Sequence, residues 1–177
     1  MRRDGLEHII RAAGALLDTD AVIIIGSQAI LGSHAEGELP SAATRSLEVD
    51  VLPLSDPDGT KADSIDGAMG EFSRFQESFG IFADGVSEDT AIFPNGWRER
   101  LIPYCNVNTN GVTGLCVEKH DLCVAKLVAH REKDLDFIRA LLQSNVVDRD
   151  ILMARLDETE VSQEQRDVIE AFIGRNT

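Results

Sequence analysis

No stretch of this sequence is long and apolar enough to cross a bilayer, since no hydrophobic run approaches the ~20 residues that a spanning helix needs. Aromatic residues are scarce at 5%, so aliphatic side chains must fill the core. Cysteine is scarce too. Cys105, Cys116 and Cys123 form no C-x-x-C pair, and the odd count argues against a disulfide framework. Reduced, partly buried thiols are the expectation, and with them a reducing, cytoplasmic compartment. The opening Met1-Arg2-Arg3-Asp4 leads into an amphipathic pattern rather than an apolar h-region, so no secretory signal is expected. Positive charge is also short. Against 31 Asp+Glu stand 17 Lys+Arg, for a formal net charge of −14. Such a chain repels polyanions at long range, so an RNA substrate would need a local basic patch. A free nucleotide carried with Mg²⁺ is an easier ligand.

What is present suits a globular domain. The 177 residues, 43% hydrophobic and 27% charged, fit one core with a small helical appendage. Leu6, Ile9, Ile10, Ala13, Leu16 and Leu17 recur at helical spacing. After Asp18-Thr19-Asp20 comes Ala21-Val22-Ile23-Ile24-Ile25, a β-branched run without polar alternation, as in a strand buried on both faces. It stops at Gly26-Ser27, where Gln28-Ala29-Ile30-Leu31 can begin a short helix. Residues 32–44, rich in Gly, Ser, Pro and Ala, read as a loop. A second strand over 47–52 alternates, with Leu47, Val49 and Val51 on one face and Glu48 and Asp50 on the other.

Asp56-Pro57-Asp58-Gly59 reads as a plain turn. The spacing predicts a helix over 64–78 with Ile65, Met69, Phe72, Phe75 and Phe79 in its stripe, ended by Gly80, then a strand over 81–86. Residues 104–107 and 112–117 read as a hairpin around Asn108-Thr109-Asn110-Gly111. One long helix is expected over 118–142, and two short helices after it, capped by Asp148 and by a Ser162/Gln165 capping box.

Three features carry chemistry. A buried strand that ends at Gly26-Ser27 and opens a helix brings free backbone N–H groups and a hydroxyl to one point, as phosphate binding requires. Glu48 and Asp50, at i and i+2 on a strand, project roughly 6–7 Å apart. Two such carboxylates repel unless a cation lies between them, and Mg²⁺ is commonly held this way. On the expected long helix, Lys126 and Lys133 share a face, while Arg131 falls inside the apolar stripe and needs a carboxylate or phosphate partner. An internal salt-bridge network explains these cations equally well. Asp121 reads as a helix cap or dipole partner. Trp97, with Arg98 and Arg100, could stack a base, but anchoring a loop on the core is the commoner use. His8, His34, His120 and His130 lack metal-ligand spacing.

The order Gly26-Ser27-Gln28-Ala29, Leu47-Glu48-Val49-Asp50-Val51, His120-Asp121-Leu122 with Lys126, and Arg131-Glu132-Lys133-Asp134 resembles bacterial AbiEii-like minimal nucleotidyltransferases. Gly96 to Leu101 adds a Gly-Trp-x-x-Arg-Leu segment of one branch. The resemblance implies an α/β (α+β) fold, a polymerase-β-like mixed sheet flanked by helices, with the core in 1–117 and a helical C-terminal part in 118–177. It implies a nucleoside triphosphate cradled by Gly26 and Ser27, with Mg²⁺ (or Mn²⁺) on Glu48 and Asp50. Lys126 and Arg131 or Lys133 would neutralise phosphate charge, and Asp84 would serve as base. The acceptor hydroxyl is left open among RNA, protein and small molecule. Several such proteins are toxins of toxin–antitoxin pairs, so a toxin-like role with an antitoxin-like protein partner is implied as well. The alternative is a catalytically silent nucleotide-binding or partner-binding module. Two departures stand out: the first metal position is Glu rather than Asp, and the segment between Ser27 and Glu48 is long.

Overall fold

A computed structural model describes residues 1–176. Thr177, the last residue of the expected helical part, lies outside them. The chain builds a five-stranded mixed sheet in the order β3-β2-β1-β5-β4. Its strands are β1 (Ala21–Ile24), β2 (Glu48–Leu52), β3 (Phe82–Gly85), β4 (Ile102–Tyr104) and β5 (Thr113–Cys116). Central β1 runs antiparallel to β2 and parallel to β5, while β2 and β3 are parallel. This is the expected α+β architecture, a mixed sheet with flanking helices.

The first helix, α1 (Arg3–Leu17), buries Leu6, Ile9, Ile10 and Ala13, the first two-thirds of the stripe that its periodicity predicts; at the helix end Leu16 is exposed and Leu17 half-buried. It packs on β1 and on α2 (Thr60–Met69), which in turn covers β2 and β3. Ile10 lies so close to β5 that a Cβ on Gly114 would stand 2.4 Å from its Cδ1. The unalternating run of β1 has its cause here: Val22, Ile23 and Ile24 are fully buried.

The predicted helix over 64–78 is two. After α2, Gly70 caps the end, Phe72 takes a left-handed φ of 64°, and α3 (Arg74–Phe79) starts at a Ser73 cap. Phe72 therefore leaves the apolar stripe and is 89% exposed. Earlier, Asp56 accepts from the backbone of Lys61 and Ala62 and starts α2 ahead of the expected boundary.

The hairpin pairs in a different place. Tyr104 faces Gly114 and Ile102 faces Cys116, so β4 precedes the expected strand. The Asn106 side chain accepts from the N–H groups of Asn108 and Thr109 and curls the chain into a 3-10 turn at Val107–Thr109. Asn110 and Gly111 supply the left-handed residues that close it.

The expected long helix over 118–142 is also broken. Its halves are α4 (Lys119–Ala129) and α5 (Glu132–Gln143), with His130 left-handed at φ 53° and Arg131 extended between them. Two short helices follow, α6 (Arg149–Asp157) and α7 (Gln163–Arg175), with the Asp148 cap and the Ser162/Gln165 capping box both formed. Helix α4 packs on α5, α6 and α7 and on the 3-10 turn Ser27–Gly32 that follows β1. No described helix is long and apolar enough to cross a membrane.

Candidate active site

Strand geometry alone brings three carboxylates together. On β2, Val49 and Val51 are fully buried in the core, so Glu48 and Asp50 project from the opposite face. Parallel pairing places Asp50 beside Asp84 of β3 and Glu48 beside Phe82. Carboxylate oxygens of Glu48, Asp50 and Asp84 all lie within 4.8 Å of one another.

The turn after β1 closes on the same point. Gly26 sits against Asp50 so tightly that a Cβ there would stand 1.5 Å from the carboxylate Oδ2. Its φ of −77° is open to any residue, so space, not backbone conformation, requires glycine here. Ser27 follows with its hydroxyl unpartnered among the described residues, at the start of a turn whose first N–H groups have no internal acceptor. Gly26, Ser27, Glu48 and Asp50 line a pocket of about 460 Å³ together with Lys126, Arg131 and Lys133. The phosphate-type turn and two of the three carboxylates thus share one cavity.

Its electrostatics are strained in a way that invites a cation. Burial, and then the neighbouring Glu48 and Asp84, push the Asp50 carboxyl up to about 6, against the pull of Lys126. Asp84 is raised as well, by burial first and then by Glu48, Asp66 and Glu71, with Lys133 opposing. Carboxylates that crowd together while losing water destabilise one another unless a positive charge is shared. Three oxygen donors with no competing soft ligand suit a hard divalent ion such as Mg²⁺ or Mn²⁺. The residues present fit that group.

The expected cations are distributed differently from the sequence reading. Lys126 and Lys133 fall on separate helices, so no continuous helix face joins them. Arg131 is no member of an apolar stripe: it occupies the break, with its side chain 59% exposed. Lys126 Nζ and Arg131 Nε each bond one oxygen of buried Asp134, at 2.5 Å. This salt-bridge cluster clasps α4 to α5 across the break. Lys133 makes no ion pair among the described residues, and neither does Arg45, which also lines the pocket. Arg45 gives no sign of itself in the sequence, because an isolated arginine at the end of a loop carries no periodic or motif signal.

Asp121 is not a cap. The α4 N-terminus is capped by Glu118, which accepts from the N–H groups of His120 and Asp121. The fully buried Asp121 carboxylate instead takes two hydrogen bonds from Arg100, at 2.8 and 3.0 Å, and an ion pair from Arg155 at 3.1 Å. Arg100 is thereby unavailable to a ligand. Trp97 packs against the core as a loop anchor. His120 donates or accepts at both ring nitrogens, to Glu118 and from the Asp148 N–H. Cys116 and Cys123 are buried free thiols, pushed up to about 12 by burial, and Cys105 is exposed and free.

In class, the protein is an α+β domain whose mixed sheet presents three carboxylates beside a glycine-serine turn and a pocket. The chain belongs to a family described as nucleotidyltransferase of unknown function (DUF6036), whose model matches residues 4–173. No similar protein is found among curated sequences, and none among solved structures.

Proposed function

We propose that this protein transfers a nucleotidyl group from a nucleoside triphosphate to a hydroxyl acceptor, with Mg²⁺ (or Mn²⁺) held by Glu48 and Asp50. The observation that carries the reading is the convergence of Glu48, Asp50 and Asp84 beside Gly26. When bound, the divalent ion neutralises phosphate charge and orients the triphosphate. Gly26 and Ser27 cradle the phosphates through backbone N–H groups and the Ser27 hydroxyl. Arg45 and Lys133, the pocket cations outside ion pairs, offset the remaining phosphate charge, and Arg131 contributes from the edge. Lys126 acts at one remove: bound to Asp134, it adds positive potential near Asp50.

In the reaction the acceptor oxygen attacks the α-phosphorus, and the bond from that phosphorus to the bridging oxygen breaks. Pyrophosphate leaves, and the hydroxyl proton passes to Asp84. Such in-line transfer needs mainly positioning and charge neutralisation. Residues 1–117 form the catalytic core in this reading, and the helices of 118–177 supply cations and backing. Kinship with AbiEii-like enzymes, a toxin-like role and a basic antitoxin-like partner for this acidic surface are the finer parts of the proposal, resting on motif order and net charge.

The test is incubation with each α-labelled nucleoside triphosphate, Mg²⁺ and either cell RNA or lysate. Label transfer that disappears in Asp50→Asn supports the enzyme. Nucleotide binding without transfer, unaltered by Glu48→Gln, would identify a silent binding module instead. Growth arrest on expression, relieved by a co-expressed partner, would establish the toxin-like role.

A further inference from the structure

The connection from β3 to β4 spans residues 86–101 with only 3-10 turns at Glu88–Thr90 and Trp97–Arg100. Connections of that length inside compact domains are commonly functional. This one is fastened at several points. The Asn95 N–H donates to the Glu158 carbonyl at 2.9 Å, and Arg100 donates to the Asn95 carbonyl at 2.9 Å while gripping Asp121. From this fixed loop, Thr90, Ala91 and Phe93 line the same pocket as Gly26 and Asp50.

Phe93 is half-buried and rigidly backed. Trp97 stacks on it with ring centroids 4.6 Å apart and planes 27° from parallel. The Arg98 guanidinium lies over Trp97 at 4.9 Å and is held in turn by Glu88 at 3.0 Å. The pocket-lining Phe93 ring is thus backed by an indole that also carries a fixed guanidinium. An aromatic side chain at a phosphate-and-metal pocket offers a flat apolar contact for a ring system, and base–aromatic stacking tolerates any base because every base has a π-face.

We propose that Phe93, backed by Trp97 and Arg98, is the nucleobase platform of the site, so that its ligand is a nucleoside triphosphate recognised by base as well as by phosphates. This inference rests on the nucleotidyltransferase reading and adds to it the base-binding wall. Because the stack holds a planar ring by its face and Ala91 and Thr90 offer little hydrogen-bonding choice, it selects for the presence of a base more than for its identity.

Trp97 is the single tryptophan of the chain, so the platform carries its own reporter. Calorimetric titration with Mg²⁺ plus ATP, GTP or inorganic tripolyphosphate, followed in parallel by Trp97 emission, tests the proposal. In the wild type, ATP and GTP bind about 5- to 150-fold more tightly than tripolyphosphate, the span expected for one stacked base. They change Trp97 emission, and tripolyphosphate does not. Phe93→Leu, with an unchanged thermal midpoint, loses the nucleotide advantage and keeps tripolyphosphate affinity, and Phe93→Tyr restores the advantage. Equal affinity of nucleotide and tripolyphosphate in the wild type overturns the platform and leaves the phosphate site standing; this arm needs no variant. Binding of neither overturns both readings.

Discussion

The Asp50 carboxylate fills the space that a side chain on Gly26 would need, its Oδ2 lying 1.5 Å from where a Cβ would fall. A glycine on one strand end and an acid on the next are thereby a single unit. Gly26→Ala must displace the Asp50 carboxylate from its present place beside Glu48 and Asp84. A displacement of ~1 Å in a reacting site costs about 100-fold in rate, and overpacking costs ~1–3 kcal/mol in stability. We expect nucleotidyl transfer to fall at least that far, with a modestly lowered urea midpoint. An alanine variant with wild-type turnover would show that Asp50 is free to move and that the contact has no bearing on the site.

Asp50 itself is held in an unfavourable state near neutral pH. Its folded pKa, pushed up to about 6 by burial and then by Glu48, exceeds the ordinary value of 3.8. The folded protein therefore binds this proton more tightly than the unfolded chain, and stability falls as pH rises between those values. Asp50→Asn removes the burden and should raise metal-free stability at pH 7 by on the order of 1–3 kcal/mol. Mg²⁺ should raise the thermal midpoint of the wild type and leave that of the variant unmoved. If Asp50→Asn destabilises the metal-free protein, Asp50 is not held at a cost by burial and its acidic neighbours.

The sheet and the acidic cluster were largely readable from the sequence, because strand period and burial speak through neighbouring residues. The run Ala21 to Ile25 has the composition of a strand buried on both faces, and β1 takes Ala21 to Ile24 of it, while Glu48 and Asp50 alternate with apolar partners. What could not be read was the chain reversal inside helical patterns. His130 adopts a left-handed conformation with no glycine or proline to announce it. The cause is tertiary: Lys126 and Arg131 converge on Asp134 only if the helix bends there. Gly70 marks the break between α2 and α3 in the structure, but a stripe that runs on through Phe72 and Phe75 hides it in the sequence. Phe93 carried no signal, since its role depends on where a long connection lies. The Arg100–Asp121 pair likewise joins residues 21 apart in sequence, and neither residue alone reveals the other.

Gln28 lies in the 3-10 turn after β1 and is fully buried, yet neither its amide nitrogen nor its oxygen has a partner among the described residues. An unpaired buried polar group costs ~1–3 kcal/mol, and an apolar group of the same shape avoids that cost. Gln28→Met should therefore raise the urea midpoint, by about 1–3 kcal/mol when converted to stability. A variant less stable than the wild type would mean that the amide is satisfied in solution, by a buried water for instance.

Asp134 bridges two cations while its side chain is 1% exposed, and Lys126 beside it is 8% exposed. Removing one member of such a buried pair leaves the other charge uncompensated, at a cost of ~3–5 kcal/mol, whereas replacing both by apolar residues is often tolerated. Asp134→Asn should destabilise by about that amount, and the double variant Lys126→Met/Asp134→Leu should recover much of it. The effect must also depend on pH. Burial alone would raise the Asp134 carboxyl, but the hydrogen bonds from Arg131 and Lys126 outweigh it and hold the group below the usual carboxylate range. A folded pKa below the unfolded one gives stability that is complete above the unfolded value, ~3.9, and is lost as pH falls through the folded value. Urea unfolding of wild type and Asp134→Asn across pH 7 to 3 should show a gap that is constant down to about pH 5 and narrows in more acidic solution. A gap that stays the same down to pH 3 would mean that the cluster at the α4–α5 break contributes through packing and not through charge.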